Sequence, residues 1–453
     1  MTSQESLPVA VIGAGPVGLA AAANLLERGL EPLVFEAGPA VGATIRQWGH
    51  VRVFSTWKYN VDPASVRLLE RHGWEAPRPT ALPYGSQIVS EYLEPLAATP
   101  ELKDRIRTGS RVVAVTRQGM DKGRSQGRDS APFLLRIGHD GGQVTEVLAR
   151  AVIDTSGTWS SPAPLGSSGL AVPGEAEARA AGLVTGPLPD VSAGGFAGRR
   201  TLVIGSGHSA ANMVLDLARV ARANPGTEVL WAIRAATPAR AYGGGDADQL
   251  PARGQLGARL RTAVESGAVR LLTSFHTASI DVRGDALTVH AADGRSVSVD
   301  RVIPATGFRP DLAMLSELRL DLDPAVEAPK ALGPLIDPDF HSCGTVPAHG
   351  ARILEQPEKD FYLAGMKSYG RAPTFLMATG YEQVRSIAAA LAGDTAAADA
   401  VELELPETGV CSTSVPDDAG DAGADTCCSA PMPVTIGFAT GLQHGRSSEP
   451  ADA

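Results

Sequence analysis

The sequence predicts an α/β protein built of two parallel-sheet units, the second inserted into the first. Three observations carry this. An apolar strand runs into a glycine-rich turn at residues 9–18, and the same pattern recurs at residues 200–210. Two later apolar strands end alike, in Asp154-Thr155-Ser156-Gly157 and in Pro304-Ala305-Thr306-Gly307. A chain of 453 residues suits two or three domains, and 43% hydrophobic with 20% charged residues is the balance of a globular protein with a full core.

Residues 9–18 read Val-Ala-Val-Ile-Gly-Ala-Gly-Pro-Val-Gly, followed by a helical run of alanines and leucines from Leu19 to Arg28. In this G-x-G-x-x-G, Gly13 permits the tight turn and Gly15 lets the backbone approach a pyrophosphate. Gly18 lets helix and strand pack closely. Pro16 opens the helix, whose free N–H groups then face the phosphates. The next strand, Pro32 to Phe35, ends in Glu36, a carboxylate suited to ribose hydroxyls and repellent to a 2′-phosphate. These features together predict an FAD site.

The second unit starts with a strand from Arg200 to Ile204 and the turn Gly205-Ser206-Gly207-His208-Ser209-Ala210, with a helix continuing through Val220. Its next strand, Glu228 to Ile233, ends in Arg234 where the first unit has Glu36. A guanidinium there suits a 2′-phosphate, so the second ligand is expected to be NADPH. Gly205, Ser206, Gly207, His208 and Ser209 are its candidate contacts.

The expected organisation is a two-part FAD domain over 1–165 and 307–395, a crossover linker over 166–198, and an inserted Rossmann-like NADPH domain over 199–306. Helices near 64–71 and 86–98 precede strands at 111–116, 133–137, 144–148 and 151–157. Phe361 to Gly365 reads as a return strand and Ala372 to Leu391 as a helix. From 396 to 453 hydrophobic periodicity fades, and an acidic, cysteine-containing, disordered tail is expected. Nine carboxylates against Arg446 give residues 401–453 a charge of −8, leaving about −2 of the net −10 for the body. With no dense Lys/Arg tract, nucleic acid is excluded as a partner class. Leu7 to Leu26 carries no charge, but its glycine pattern and weak hydropathy argue against a membrane span. Four cysteines (Cys343, Cys411, Cys427, Cys428) form no disulfide framework, so a reducing cytoplasm is expected.

Thr155-Ser156-Gly157-Thr158-Trp159-Ser160-Ser161-Pro162, the stretch Ile303 to Asp311 and the stretch Gly365 to Phe375 extend the two glycine turns into a longer likeness. Across residues 5–393 the chain resembles the class B flavin-dependent monooxygenases and their relatives with two dinucleotide-binding domains. It looks most like the flavin-binding monooxygenases of actinobacterial arsenic-resistance operons. The stretch before the second turn, residues 185–200, lacks the histidine of the F-x-G-x-x-x-H-x-x-x-[FY] motif usual in flavin-containing monooxygenases.

The resemblance implies hydride transfer from NADPH to FAD, uptake of O₂ as a C4a-(hydro)peroxyflavin, and oxidation of a small soft nucleophile such as a trivalent arsenical. Lys367, Tyr369, Arg371 and Trp57 are the candidate catalytic residues. Trp48, Gly157, Gly307, Gly365 and Met366 join the two glycine turns as candidate cofactor contacts. Partners are then a small-molecule substrate and O₂, with a homodimer left open. Two other readings stay open: a thiol or metal reductase, and a metalloid-binding or redox-sensing protein holding arsenic(III) through Cys411, Cys427 and Cys428. No other metal site is expected; His341 and His349 flank Cys343 without zinc-ligand spacing.

Overall fold

The computed structural model describes residues 6–243, 250–337, 346–373 and 375–403. Cys343, Cys411, Cys427, Cys428 and His341 lie outside the described residues, and so does the tail beyond 403.

Two parallel sheets organise the chain. The first has the strand order Phe361–Leu363, Ala151–Asp154, Val9–Ile12, Pro32–Phe35, Ile106–Arg107. All its pairings are parallel, and Val9–Ile12 sits at its centre with every residue buried. The run of apolar β-formers at the centre reflects burial on both faces. The second sheet repeats the plan with the order Arg270–Leu272, Glu228–Ala232, Arg200–Ile204, Arg301–Pro304, again parallel throughout.

Each unit also carries a three-stranded antiparallel meander just before the strand that returns to its parallel sheet. These are Arg111–Arg117, Phe133–Gly138 and Val144–Ala149 in the first unit, and Thr277–Arg283, Ala286–Ala291 and Ser296–Val299 in the second. The internal repeat therefore extends well beyond the glycine turns.

The helix Pro16–Glu27 is apolar on nearly every side because it is enclosed. It lies against Pro63–Glu70 and Met377–Leu391, and four consecutive alanines, Ala20 to Ala23, allow close approach. Asp62 caps Pro63–Glu70 by accepting from the Ser65 N–H at 2.8 Å. The region 85–97 is one helix whose middle, Ile88–Leu93, widens to a π-turn and buries Tyr92 beside that cap. No described helix is long and apolar enough to cross a membrane.

Three segments differ from the sequence reading. Residues 166–198, read as a linker, place Val172, Leu183, Val184 and Phe196 in the cores of the second unit. Val184 also bridges Val302 beside the returning strand. The return helix begins at Met377, since Gly365–Tyr369 forms a tight turn first. The ordered chain also continues past 396. Asp394 caps a short helix, Thr395–Asp399, and the Ala398 carbonyl accepts from the buried Ser386 hydroxyl at 2.6 Å.

Candidate functional site

Both glycine turns lie at the carboxyl ends of their parallel strands, the crevice where open α/β sheets bind ligands. In the first, Gly13 has φ of 100° and donates its N–H to the Phe35 carbonyl at 2.7 Å. A Cβ on Gly18 would lie 1.9 Å from the Gly13 carbonyl oxygen, so a side chain there would drive the turn off the helix. Gly15 is the opposite case: a Cβ would meet nothing within 4 Å. Its openness leaves the helix start accessible to a ligand.

The helix starting at Pro16 has no side-chain cap, whereas Pro63–Glu70 has Asp62. Its first N–H groups are thus left for an anion. Glu36 accepts from the Ala14 N–H at 2.9 Å and from the Gly38 N–H at 2.7 Å. These bonds fix its carboxylate beside the turn, with lone pairs left for ribose hydroxyls. An open Gly15, an uncapped helix and a fixed acid all fit FAD.

The second turn repeats this steric logic. Gly205 has φ of 131°, and a Cβ on it would lie 2.0 Å from the Ala305 carbonyl oxygen. Gly207, at the start of helix His208–Ala223, has open space and supplies no side-chain cap. Ser206 is exposed and Ser209 half-buried, and the His208 ring packs 5.0 Å from Phe54 of the first unit. Arg234 is exposed just past its strand, with one nitrogen 3.4 Å from the Ser167 carbonyl. An exposed guanidinium there fits the 2′-phosphate of NADPH.

The return segment is built around two buried groups. Lys367 Nζ donates to Asp154 Oδ2 at 2.6 Å and to Ser156 Oγ at 3.0 Å. Asp154 ends the strand beside Val9–Ile12, and its second oxygen accepts the Ser156 N–H at 3.0 Å. Lys367 thereby ties the return segment to the Thr155-Ser156-Gly157 turn over the first glycine turn. Gly365, at φ of 68°, donates its N–H to Gln383 Oε1 at 2.7 Å. The Gln383 amide donates to Ser368 Oγ and His349 Nε2, each at 2.9 Å. Burial holds His349 below the ordinary imidazole range, in keeping with a neutral ring that accepts from Gln383.

The other sequence candidates are spread out. Tyr369 is buried at 5.1 Å from Phe375, and burial pushes its phenol above the usual range. Arg371 is turned to Glu327 in a two-pronged pair. Trp57 lies inside the main core, and Trp48 packs against Gly85, where a Cβ would lie 2.8 Å from the indole. Met366 is half-buried. Gly157 and Gly307 hold φ of 70° and 92° with open space at their Cα atoms.

Sequence reasoning overlooked the seam between the units. The Ala163 N–H donates to the Gly307 carbonyl at 2.8 Å and Arg309 N–H to the Ser161 carbonyl at 2.9 Å, pairing the two crossing strands. Trp159 stacks on Phe308 at 5.1 Å and donates its indole N–H to Gln47 Oε1 at 2.8 Å. The only sequence signal was that aromatics followed both small-residue turns.

Residues 8–186 match the family model described as FAD dependent oxidoreductase. No curated protein sequence matches the chain. Among solved structures, it is similar to the bacillithiol disulfide reductase Bdr (YpdA) from Bacillus cereus, with 20% identity and a TM-score of 0.63 over 85% of this chain and 99% of that one. It is also similar to a flavin-containing monooxygenase from Stenotrophomonas maltophilia, with 21% identity and a TM-score of 0.53 over 85% of this chain and 98% of that one. The ornithine N-hydroxylase of Kutzneria sp. 744 shares 16% identity and a TM-score of 0.52, over 85% of this chain and 99% of that one. At these identities the structural likenesses establish the two-unit fold.

Proposed function

We propose that this chain, an FAD-dependent oxidoreductase by its domain match and cradle geometry, is a monooxygenase that draws electrons from NADPH and oxidises a small soft nucleophile. The observation that carries it is the pair of open glycine cradles at the ends of two parallel sheets, one followed by Glu36 and the other by Arg234. The solved monooxygenases it resembles share that two-unit frame.

Bound FAD supplies the hydride acceptance and O₂ activation. The protein contributes binding, orientation and exclusion of water. Gly13, Gly15 and the N–H groups after Pro16 cradle the FAD pyrophosphate, and Glu36 accepts from its ribose. Gly205 to Ser209 and Arg234 hold NADPH. Gly157, Gly365 and Met366 bring backbone close to FAD, and the Lys367–Asp154 pair keeps the turn at Ser156 in place. The Trp159–Phe308 stack lies at the seam between the two units, where it would limit entry of water. The balance is NADPH, H⁺, O₂ and substrate giving NADP⁺, water and oxygenated substrate.

A dithiol reductase has fewer of its parts. The chain holds no C-x-x-C pair, and neither the glycine turns nor the sheets contain a cysteine. The test is to reduce FAD-loaded protein with NADPH without oxygen, then admit O₂ with an organic sulfide or a trivalent arsenical. One oxygenated product per NADPH supports the proposal. Reduction of a low-molecular-weight disulfide in the absence of O₂ would replace it with the reductase reading.

A further inference from the structure

We propose that His50 is a positioning residue for the nicotinamide end of NADP(H), offering its Nε2 to the ring carboxamide. This rests on the NADPH reading of the second cradle and goes beyond it, to how the reactive end of the nucleotide is held.

The first observation is an orphaned atom. His50 Nε2 is sealed from solvent and meets no hydrogen-bond partner among the described residues. A buried polar atom left unpaired is costly, and such an atom beside a binding crevice is satisfied when the ligand arrives.

The second is where this histidine sits. The segment 47–54 belongs to the first unit, where residues 49–53 pair with residues 83–86, and it meets the second unit at Phe54 and His50. Gln47 accepts from the Trp159 indole, which stacks on Phe308. Phe54 packs on His208, in the first turn of the second cradle's helix. Between them, His50 lies within electrostatic reach of Asp190. The Ser192 hydroxyl does most to hold the Asp190 carboxyl below its ordinary range, and His50 adds to it.

The third is the direction of the nucleotide. In the second sheet the strand Arg200–Ile204 has Glu228–Ala232, followed by Arg234, on one side. On its other side lies Arg301–Pro304, which leads to Thr306, Gly307 and Phe308. A nucleotide whose pyrophosphate rests on Gly205 to Ser209 and whose 2′-phosphate meets Arg234 sends its other end toward Phe308. That end therefore reaches the seam beside residues 47–54. A carboxamide has both a donor and an acceptor, so it matches either tautomer of the imidazole.

The test uses the full-length, FAD-loaded protein and compares NADP⁺ with 2′-phospho-ADP-ribose, which lacks the nicotinamide ring. Affinities are read by calorimetry. H50L should weaken NADP⁺ about tenfold, the worth of one hydrogen bond, and leave 2′-phospho-ADP-ribose unchanged. H50Q, which keeps a polar group in reach, should recover part of the loss. Wild-type affinity of H50L for NADP⁺ would overturn the proposal, and so would equal weakening of both ligands. If the wild type bound neither ligand, the second-cradle reading would fall and take this inference with it.

Discussion

Lys367 and Asp154 form an ion pair of 2.6 Å with neither side chain reaching solvent, and the pair joins the return segment to the strand beside the first cradle. Removing one partner leaves the other charge buried and unmatched, which costs more than the pair itself contributes. K367M should therefore lose about 3–5 kcal/mol of stability and retain less FAD. The double variant K367M/D154L should regain most of the stability. Urea unfolding with flavin absorbance measures both, and equal stability of K367M and wild type would refute the role.

The two cradle glycines should separate folding from binding. G18A places a methyl group against the Gly13 carbonyl, so both thermal stability and FAD content should fall. G15A meets no protein atom, so the cofactor-free protein should keep its melting temperature while FAD binding weakens. Loss of stability in apo G15A would contradict the cradle geometry.

Arg234 should discriminate between nucleotides. R234A is expected to weaken NADPH roughly tenfold, in line with a charge-assisted contact at an exposed site, and to leave NADH nearly unchanged. Parallel KM or titration measurements with the two nucleotides test this. An equal loss for both would show that Arg234 does not read the 2′-phosphate.

Asp62 makes stability depend on pH. Burial, opposed by bonds from Ser65 and Asn24, pushes its carboxyl up to about 6 from 3.8. The folded state therefore holds this proton more tightly than the unfolded state. The resulting stability is complete below pH 3.8 and is lost as pH rises through about 6. The lost contribution is about 3 kcal/mol for a shift of this size. Wild-type stability relative to D62N should decline across that window; a flat difference would show that Asp62 titrates normally.

The glycine turns, the strands around them and Glu36 were legible because steric demands leave little choice of residue there. A Cβ at Gly18 or Gly205 collides with a backbone carbonyl, so the motif states its own geometry. The packing of residues 166–198 was hidden because prolines and glycines there outnumber the few buried apolar side chains. Partnerships across long separations were also invisible. Glu358 is gripped by Arg117 and Arg128, 241 and 230 residues away, and nothing local marks any of the three as buried. The seam at Gln47, Trp159 and Phe308 needed the folded arrangement of both units.

The split first sheet has a consequence for synthesis. Val9–Ile12 leaves the ribosome early, but its neighbours Ala151–Asp154 and Phe361–Leu363 follow only after long intervals. The second sheet draws its strands from residues 200–304 alone. A nascent chain can thus complete the inner unit while the outer sheet still waits for its edge strand. Until then the first cradle and its helix of alanines and leucines present apolar surface, a natural client for a chaperone. Protease resistance of ribosome-bound chains of increasing length should consequently appear first over the inner unit.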